Sequence, residues 1–404
     1  MRKIRILVVD DEPLVLQVVA GVIQATIQSE VVTAPCALKA LDLMRKMPFD
    51  VVVSDLAMPE MDGKQFLEVV KELYPETVRL IFTGSRGAEP GLHTAGVAHQ
   101  FFLKPAAMMT ISERIQRVLA VRELLPRTCS LEQIVAQIRM LPTIPAVYQE
   151  LERELGNPDV STERIGKIVE QDIAISAKVL QLVNSAFFGL RERVSSPAQA
   201  SSLLGLKVLQ ALVLTTHIFS EWKDRTLPGF SIQGLWDHSL GTATIVQEIA
   251  LAEQLDAALR DDLYVAALFH DIGKLVIAAN LPDSYVRINE MCQRDRISTA
   301  EAETRIMGVS HAEVGAYLLA VWGFADAVVN SCAHHHHPER KVAEGDSETG
   351  GALDSVAVVH VADVLQHESR GETSTLYSRL NTEYVRKCGL AGRVAKWRRA
   401  VVRG

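Results

Sequence analysis

Hydrophobic positions fall into two regimes along this chain. In the first part, short β-branched runs alternate with stretches of helical periodicity. Arg5–Val9, Val51–Val53, Val78–Phe82 and Gln100–Leu103 are apolar enough to be strands covered on both faces. Pro13–Thr26, Ala37–Lys46, Lys64–Leu73 and Met109–Leu124 carry the period of helices. That alternation predicts a parallel sheet wrapped by helices. After Thr83 the segment GSRGAEPGLHTAGVAHQ has glycines and Pro90 where a fourth helix belongs, so a short helix of weak propensity is expected there.

From Leu131 to about Val364 nearly every segment has helical periodicity with turn signals between, and neither alternating strands nor a fixed-spacing repeat is seen. The second part is therefore expected to be all-α. Leu125-Pro126 ends the helix that begins at Met109. This divides the chain into a first domain over 1–122, a linker over 123–130, a helical domain over 131–367 and a helical tail over 368–404. Ser196-Pro197-Ala198-Gln199 has an N-cap, proline at the first helical position and glutamine at the third. The helix it opens, through SSLLGLKVLQALVLT, is apolar over most of its circumference and is expected at the centre of a bundle.

Composition narrows the classes. The 404 residues suffice for two or three domains, and 48% hydrophobic with 23% charged residues is ordinary globular usage. A net charge of −7 argues against a general nucleic-acid or anionic-membrane surface. The five cysteines, Cys36, Cys129, Cys292, Cys332 and Cys388, form no CxxC pair, so neither a disulfide framework nor a thiolate zinc site is expected. The opening MRKIRILVVDD is too short an apolar run for a signal region and no segment reaches membrane-span length, so a cytoplasmic location is expected.

Chemistry gathers where the first domain's strands end. Val51-Val52-Val53 leads to Asp55, and Arg5–Val9 closes on Asp10 and Asp11. Three carboxylates at strand ends make an oxygen-rich pocket for a hard cation such as Mg²⁺. Val78–Phe82 ends on Thr83, a hydroxyl donor, and Gln100–Leu103 ends on Lys104, a point charge for a phosphoryl oxygen. Across 1–122 these residues resemble the two-component response-regulator receiver, a flavodoxin-like doubly wound domain. The resemblance implies phosphorylation on Asp55, Mg²⁺ held by Asp10, Asp11 and Asp55, phosphate contacts from Thr83 and Lys104, and Phe101 as an aromatic switch. It also implies a cognate histidine kinase or phosphotransfer protein as donor, with homodimerisation as one response.

A second cluster lies in the helical part: His238, His270-Asp271, His311, the run His334–His337 and Asp363. Histidine and carboxylate are ligands for Zn, Mn or Fe. A lone histidine on an apolar helix is more often a core residue, but His238, His311 and Asp363 each recur on a separate apolar helix. The order H…HD…D, carried by His238, His270, Asp271 and Asp363, resembles the HD superfamily of metal-dependent phosphohydrolases. LPTIPAV, QDIAISAKVLQLVNSAFFGL, LFHDIGKL, SHAEVGAYLL and HHHHPE bring the resemblance closer to its HDOD branch, an output domain usually treated as non-catalytic. His311, His335 and His336 are further candidate ligands that could complete a two-metal site, and Lys274 is a candidate phosphate contact or a solvated helix end. PERKVAEGDSETGG lacks the GYP signature of the cyclic-di-GMP phosphodiesterase branch.

The sequence therefore supports a phosphorylation-controlled regulator whose HDOD domain acts by binding a downstream protein partner. The alternative is a metal-dependent phosphohydrolase or nucleotide phosphodiesterase under receiver control. Asn184, Ser185 and Phe187-Phe188 are expected to pack in the core and cap a helix, with ligand binding the other reading. The final stretch, Tyr384–Gly404, reads as a basic helix around Trp397. Docking on the chain's own acidic surface is the plain reading, and a partner or nucleic-acid contact the other.

Overall fold

The structure, a computed structural model, describes residues 4–74, 77–84, 98, 100–104, 111, 112, 115, 116, 119, 146–155, 157, 160–185, 188, 194–222, 227–340, 353–371 and 379–401. Two compact units divide the chain, one of 1–146 with 317–324 and one of 147–316 with 325–404.

The first unit is built on five parallel strands: β1 (Ile4–Val9), β2 (Ser29–Ala34), β3 (Val51–Ser54), β4 (Val78–Thr83) and β5 (Gln100–Leu103). Their order is β2-β1-β3-β4-β5. Strand order reverses between β1 and β3, the place where an open parallel sheet leaves a crevice at its carboxyl ends. Leu7, Val52 and Ile81 pack into a core with Phe66, Leu67 and Val70 of the Gly63–Leu73 helix. That helix starts with a reciprocal capping box, in which Asp62 accepts from the Gln65 amide and the Gln65 side chain accepts from the Asp62 amide. The edge strand β2 was not expected, because SEVVTA is polar or half-buried at most positions. The fourth-helix segment at 85–97 lies outside the described residues, as does most of the Met109–Leu124 helix.

The second unit is helical throughout its described residues. Its hub is the Ala257–Phe269 helix, all apolar from Leu263 to Phe269 on its buried side. It packs against the Leu206–Trp222, Ile232–Ala252, Asp326–His334 and Ser355–Ser369 helices. Two close approaches set the spacing around it. A Cβ on Gly241 would run into the Gln366 amide, so glycine lets the Ile232–Ala252 and Ser355–Ser369 helices meet. A Cβ on Gly273 would overlap the His311 carbonyl oxygen, which holds the Ile272–Asn280 helix against the start of the His311–Val321 helix.

Two expectations change, while Asn184 caps the Ile173–Val183 helix as expected. The long apolar helix is broken at Gly205, whose φ of 88° no L side chain adopts easily, giving Pro197–Leu204 and Leu206–Trp222. The basic tail is likewise two helices, Thr382–Lys387 and Ala391–Val401, separated at Gly389 with φ 69°. Asn184 is a clasp: its side chain donates to the Val194 carbonyl and accepts from the Val194 amide, each at 2.8 Å. Phe187 lies outside the described residues, and Phe188 leans on Tyr264 at 6.3 Å between ring centres.

The tail docks on the bundle. Trp397 donates to Glu253 at 2.9 Å, Arg393 sits 3.5 Å from the same carboxylate, and Arg398 grips Glu368 through two bonds of 2.8 and 2.9 Å. The described cysteines, Cys36, Cys292, Cys332 and Cys388, are free thiols.

Candidate functional site

In the first unit, the chain turns directly after β1 and β3, which places Asp10 and Asp55 side by side at the reversal point of the sheet. Both are buried, while Asp11 is exposed on the same turn. Lys104, the residue after β5, reaches across and donates to Asp10 Oδ2 at 2.5 Å and to Asp55 Oδ1 at 3.0 Å. The remaining oxygens accept backbone N–H groups, Asp10 Oδ1 from Glu12 and Asp55 Oδ2 from Ala57, both at 2.9 Å. Burial raises the Asp10 pKa, against the pull of Lys104. Burial would lower Lys104, but its bonds to Asp10 and Asp55 outweigh that and raise it. Gly63 is required nearby, since a Cβ there would overlap the Asp55 carbonyl. Thr83 ends β4 and Phe101 lies in β5 opposite Ile81, but their side chains lie outside the described residues.

The second site gathers residues far apart in sequence. His238 comes from the Ile232–Ala252 helix, and His270 and Asp271 from the junction of the Ala257–Phe269 and Ile272–Asn280 helices. His311 opens its helix, His335 and His336 follow the Asp326–His334 helix, and Asp363 comes from Ser355–Ser369. His238 Nε2 lies 3.2 Å from His270 Nε2, 3.0 Å from Asp363 Oδ1 and 3.5 Å from Asp271 Oδ2. His270 Nε2 lies 3.5 Å from Asp271 Oδ2 and 3.7 Å from Asp363 Oδ1. On the other side, Asp271 Oδ1 lies 3.1 Å from His311 Nε2 and 3.6 Å from His335 Nε2, while His336 Nε2 lies 2.8 Å from His311 Nε2. Asp271 thus turns one oxygen to each of two histidine groups.

The outward nitrogens are fixed. His270 Nδ1 is 2.6 Å from the Ala267 carbonyl and His335 Nδ1 is 2.7 Å from that of Cys332, so both donate there and leave Nε2 facing inward. His311 Nδ1 is 2.6 Å from the buried Glu303 carboxylate, which also accepts the His311 amide at 2.7 Å. Inside, Asp271 Oδ1, His335 Nε2 and Asp363 Oδ2 are buried without a hydrogen-bond partner. Burial would raise Asp271, but Lys274, His270, His311 and His335 hold it well below the usual carboxylate range; Asp363 is held down likewise by His238 and His270. Burial lowers His238 and His335 to about 4, whereas for His311 it is overcome, chiefly by Glu303, and the pKa rises to about 9.

These donors fit metal ions. Ligands ~2.1 Å from an ion stand ~3.0 Å apart at right angles and ~3.4 Å apart in a tetrahedron, and the inward nitrogens and carboxylate oxygens stand at spacings that suit such coordination. Among the described residues, Asp271 with His311, His335 and His336, and His238 with His270 and Asp271, are two such groups; Asp363 joins His238 and His367 in a third and His270 and His335 in a fourth, which lies between the first two. The exposed side is lined by Lys274, whose ammonium lies 2.6 Å from Asp271 Oδ2, and by half-buried His336. His337 points to solvent beside Glu339.

Sequence reasoning did not name Glu303 or His367. His367 lies one helical turn after Asp363, a spacing that puts both on one face. Glu303 reaches His311 from another helix, eight residues upstream, and no local pattern marks it.

Residues 6–116 match the response regulator receiver domain and residues 141–338 match the HDOD domain. A protein of Treponema pallidum described as uncharacterized is 30% identical over 206 residues, 50% of this chain and 39% of that protein. The protein-glutamate methylesterase/protein-glutamine glutaminase of Shigella boydii is 39% identical over 124 residues, 28% of this chain and 39% of that enzyme. The chain thus spans about two-fifths of the length of these curated relatives (39% each). A solved Shewanella amazonensis protein, assigned provisionally as a phosphohydrolase, superposes with a TM-score of 0.52 at 21% identity. It covers 69% of this chain and 94% of its own, and shows a shared fold. The chain is a response-regulator receiver domain followed by an HDOD domain.

Proposed function

We propose that this is a response regulator whose receiver accepts a phosphoryl group on Asp55 from a histidine kinase or phosphotransfer protein, and whose HDOD domain is a metal-dependent phosphohydrolase. The observation that carries the output reading is Asp271, whose two oxygens face two separate histidine groups. His238, His270, Asp271 and Asp363 would hold one ion, and Asp271, His311, His335 and His336 the other. Fe, Mn or Zn suits these ligands. Such ions supply Lewis-acid polarisation of a phosphoryl oxygen and a water acidified near neutrality. Lys274, beside Asp271 on the exposed side, would contact the substrate phosphate, and the surrounding burial keeps bulk water away.

In the receiver, Asp10, Asp11 and Asp55 would hold Mg²⁺. Lys104 already lies between Asp10 and Asp55 and is placed to meet an incoming phosphoryl oxygen. Thr83 and Phe101 take the hydroxyl and aromatic roles. Attack by an Asp55 oxygen on phosphorus forms an acyl phosphate while the donor's nitrogen or oxygen leaves with the former bonding pair.

A partner-binding output without turnover is the second reading, favoured by the nearly complete burial of His270, His311 and His335. Among the described residues no helix is long and apolar enough to cross a membrane. The test is metal analysis of the full chain together with hydrolysis of bis(p-nitrophenyl) phosphate, with and without a small phosphodonor. Bound Fe, Mn or Zn and turnover that responds to the phosphodonor only when Asp55 is intact is the expected result. Bound metal without turnover of diester or nucleotide substrates would favour the binding output, and phosphate labelling that persists in Asp55→Asn would move the acceptor elsewhere.

A further inference from the structure

His367 belongs to no part of the H…HD…D pattern, yet its ring stacks on that of His238 with centres 4.4 Å apart and 25° between planes. Its Nε2 lies 3.4 Å from Asp363 Oδ1, the same oxygen that His238 Nε2 approaches at 3.0 Å. Two imidazole nitrogens therefore converge on one buried carboxylate. Asp363 and His367 are four residues apart on one helix, so both point from one face. The Gly241–Gln366 approach brings that face against the helix carrying His238.

We propose that His367 is a metal ligand, forming with His238 and Asp363 a face of two histidines and one carboxylate on the His238 side of the centre. This rests on the metal-dependent reading above and goes beyond it by adding a ligand from outside the H…HD…D order. The three ligand atoms lie within 4.8 Å of one another, a set distinct from His238 with His270 and Asp271 and from Asp271 with His311, His335 and His336. Two histidines and one carboxylate are a face used by non-haem Fe(II) and by catalytic zinc alike.

The experiment titrates the metal-free full chain with Mn(II), reading free Mn(II) by electron paramagnetic resonance, and with Zn(II) against a chromophoric chelator. Wild type is compared with His367→Gln and His367→Ala, and with His337→Ala as an exposed-histidine control. Circular dichroism checks that each is folded. In both His367 variants one equivalent of metal should weaken by ~10-fold or more, for Mn(II) and Zn(II) alike, with His337→Ala unchanged. Binding unchanged in both variants, or retained in His367→Gln and lost only in His367→Ala, would make His367 a hydrogen-bond partner of Asp363 and overturn the inference while leaving the metal centre standing. A wild-type chain that binds neither metal would overturn both.

Discussion

Asp271→Asn separates the charge of the central carboxylate from its shape. Asp271 Oδ2 is 2.6 Å from the Lys274 ammonium, and only 2% of the aspartate side chain is exposed. An uncharged amide strands that ammonium. Breaking a buried pair from one side costs ~3–5 kcal/mol. Because 21% of the Lys274 side chain reaches solvent, water recovers part of this, and a net loss of ~2–3 kcal/mol is expected. Adding Lys274→Met removes the stranded charge and should restore most of that stability. The metal result should not follow: Asp271 faces both histidine groups, so both variants should hold each ion at least ~10-fold more weakly. Urea unfolding read by tryptophan fluorescence is suited to the first measurement, since all four tryptophans, Trp222, Trp236, Trp322 and Trp397, lie in the helical part of the sequence. Elemental analysis of reconstituted protein gives the second. Two retained equivalents of metal in Asp271→Asn would refute the shared-ligand role. A double variant no more stable than the single would refute the stranded-charge argument.

Glu303→Gln keeps an acceptor for His311 but removes the charge behind it, so metal affinity should fall by ~10-fold in a Mn(II) titration. Glu303→Ala leaves the buried His311 amide and ring N–H without an acceptor and should cost ~1–3 kcal/mol for each in urea unfolding. In metal-free protein, folding stability should be greatest near pH 6.5. His238 and His335 titrate at about 4 when folded, so below pH 6.5 the unfolded chain binds more protons and stability falls toward pH 4, by up to ~3 kcal/mol for each histidine. His311, raised to about 9, contributes stability fully below pH 6.5 that is lost as pH climbs through 9; urea midpoints across this range check both limbs. Gly273→Ala should cost ~1–3 kcal/mol by forcing the His311 carbonyl away and should weaken metal binding with it, read by the same titration.

Much of this architecture is legible in sequence where one residue type has one physical use. The apolar runs before Asp10, Asp55 and Lys104 read as buried parallel strands, and the structure brings those three side chains into contact. SEVVTA failed as a strand signal because an edge strand need not be apolar on both faces. The helix breaks at Gly205 and Gly389 were missed because glycine inside a periodic pattern does not announce its φ. In the helical part, apolar flanks identified His238, His270, Asp271, His311 and Asp363, and the fold brings them together. Glu303 was invisible because its partner is fixed by the packing of two helices. His367 was invisible because a histidine near a helix end looks like any solvated one.

The HDOD match ends at residue 338, whereas Asp363 and His367 lie beyond it. His360, between them and the match, receives the Asn381 amide on one ring nitrogen and holds the His335 carbonyl with the other. The candidate metal-binding cluster is thus not contained in the segment that matches the domain. A polypeptide cut at that border would keep Asp271, His311, His335 and His336 and leave His238 without Asp363 and His367. Swapping such segments between regulators would therefore transplant a fold and half of its chemistry, with the missing half supplied by whatever follows.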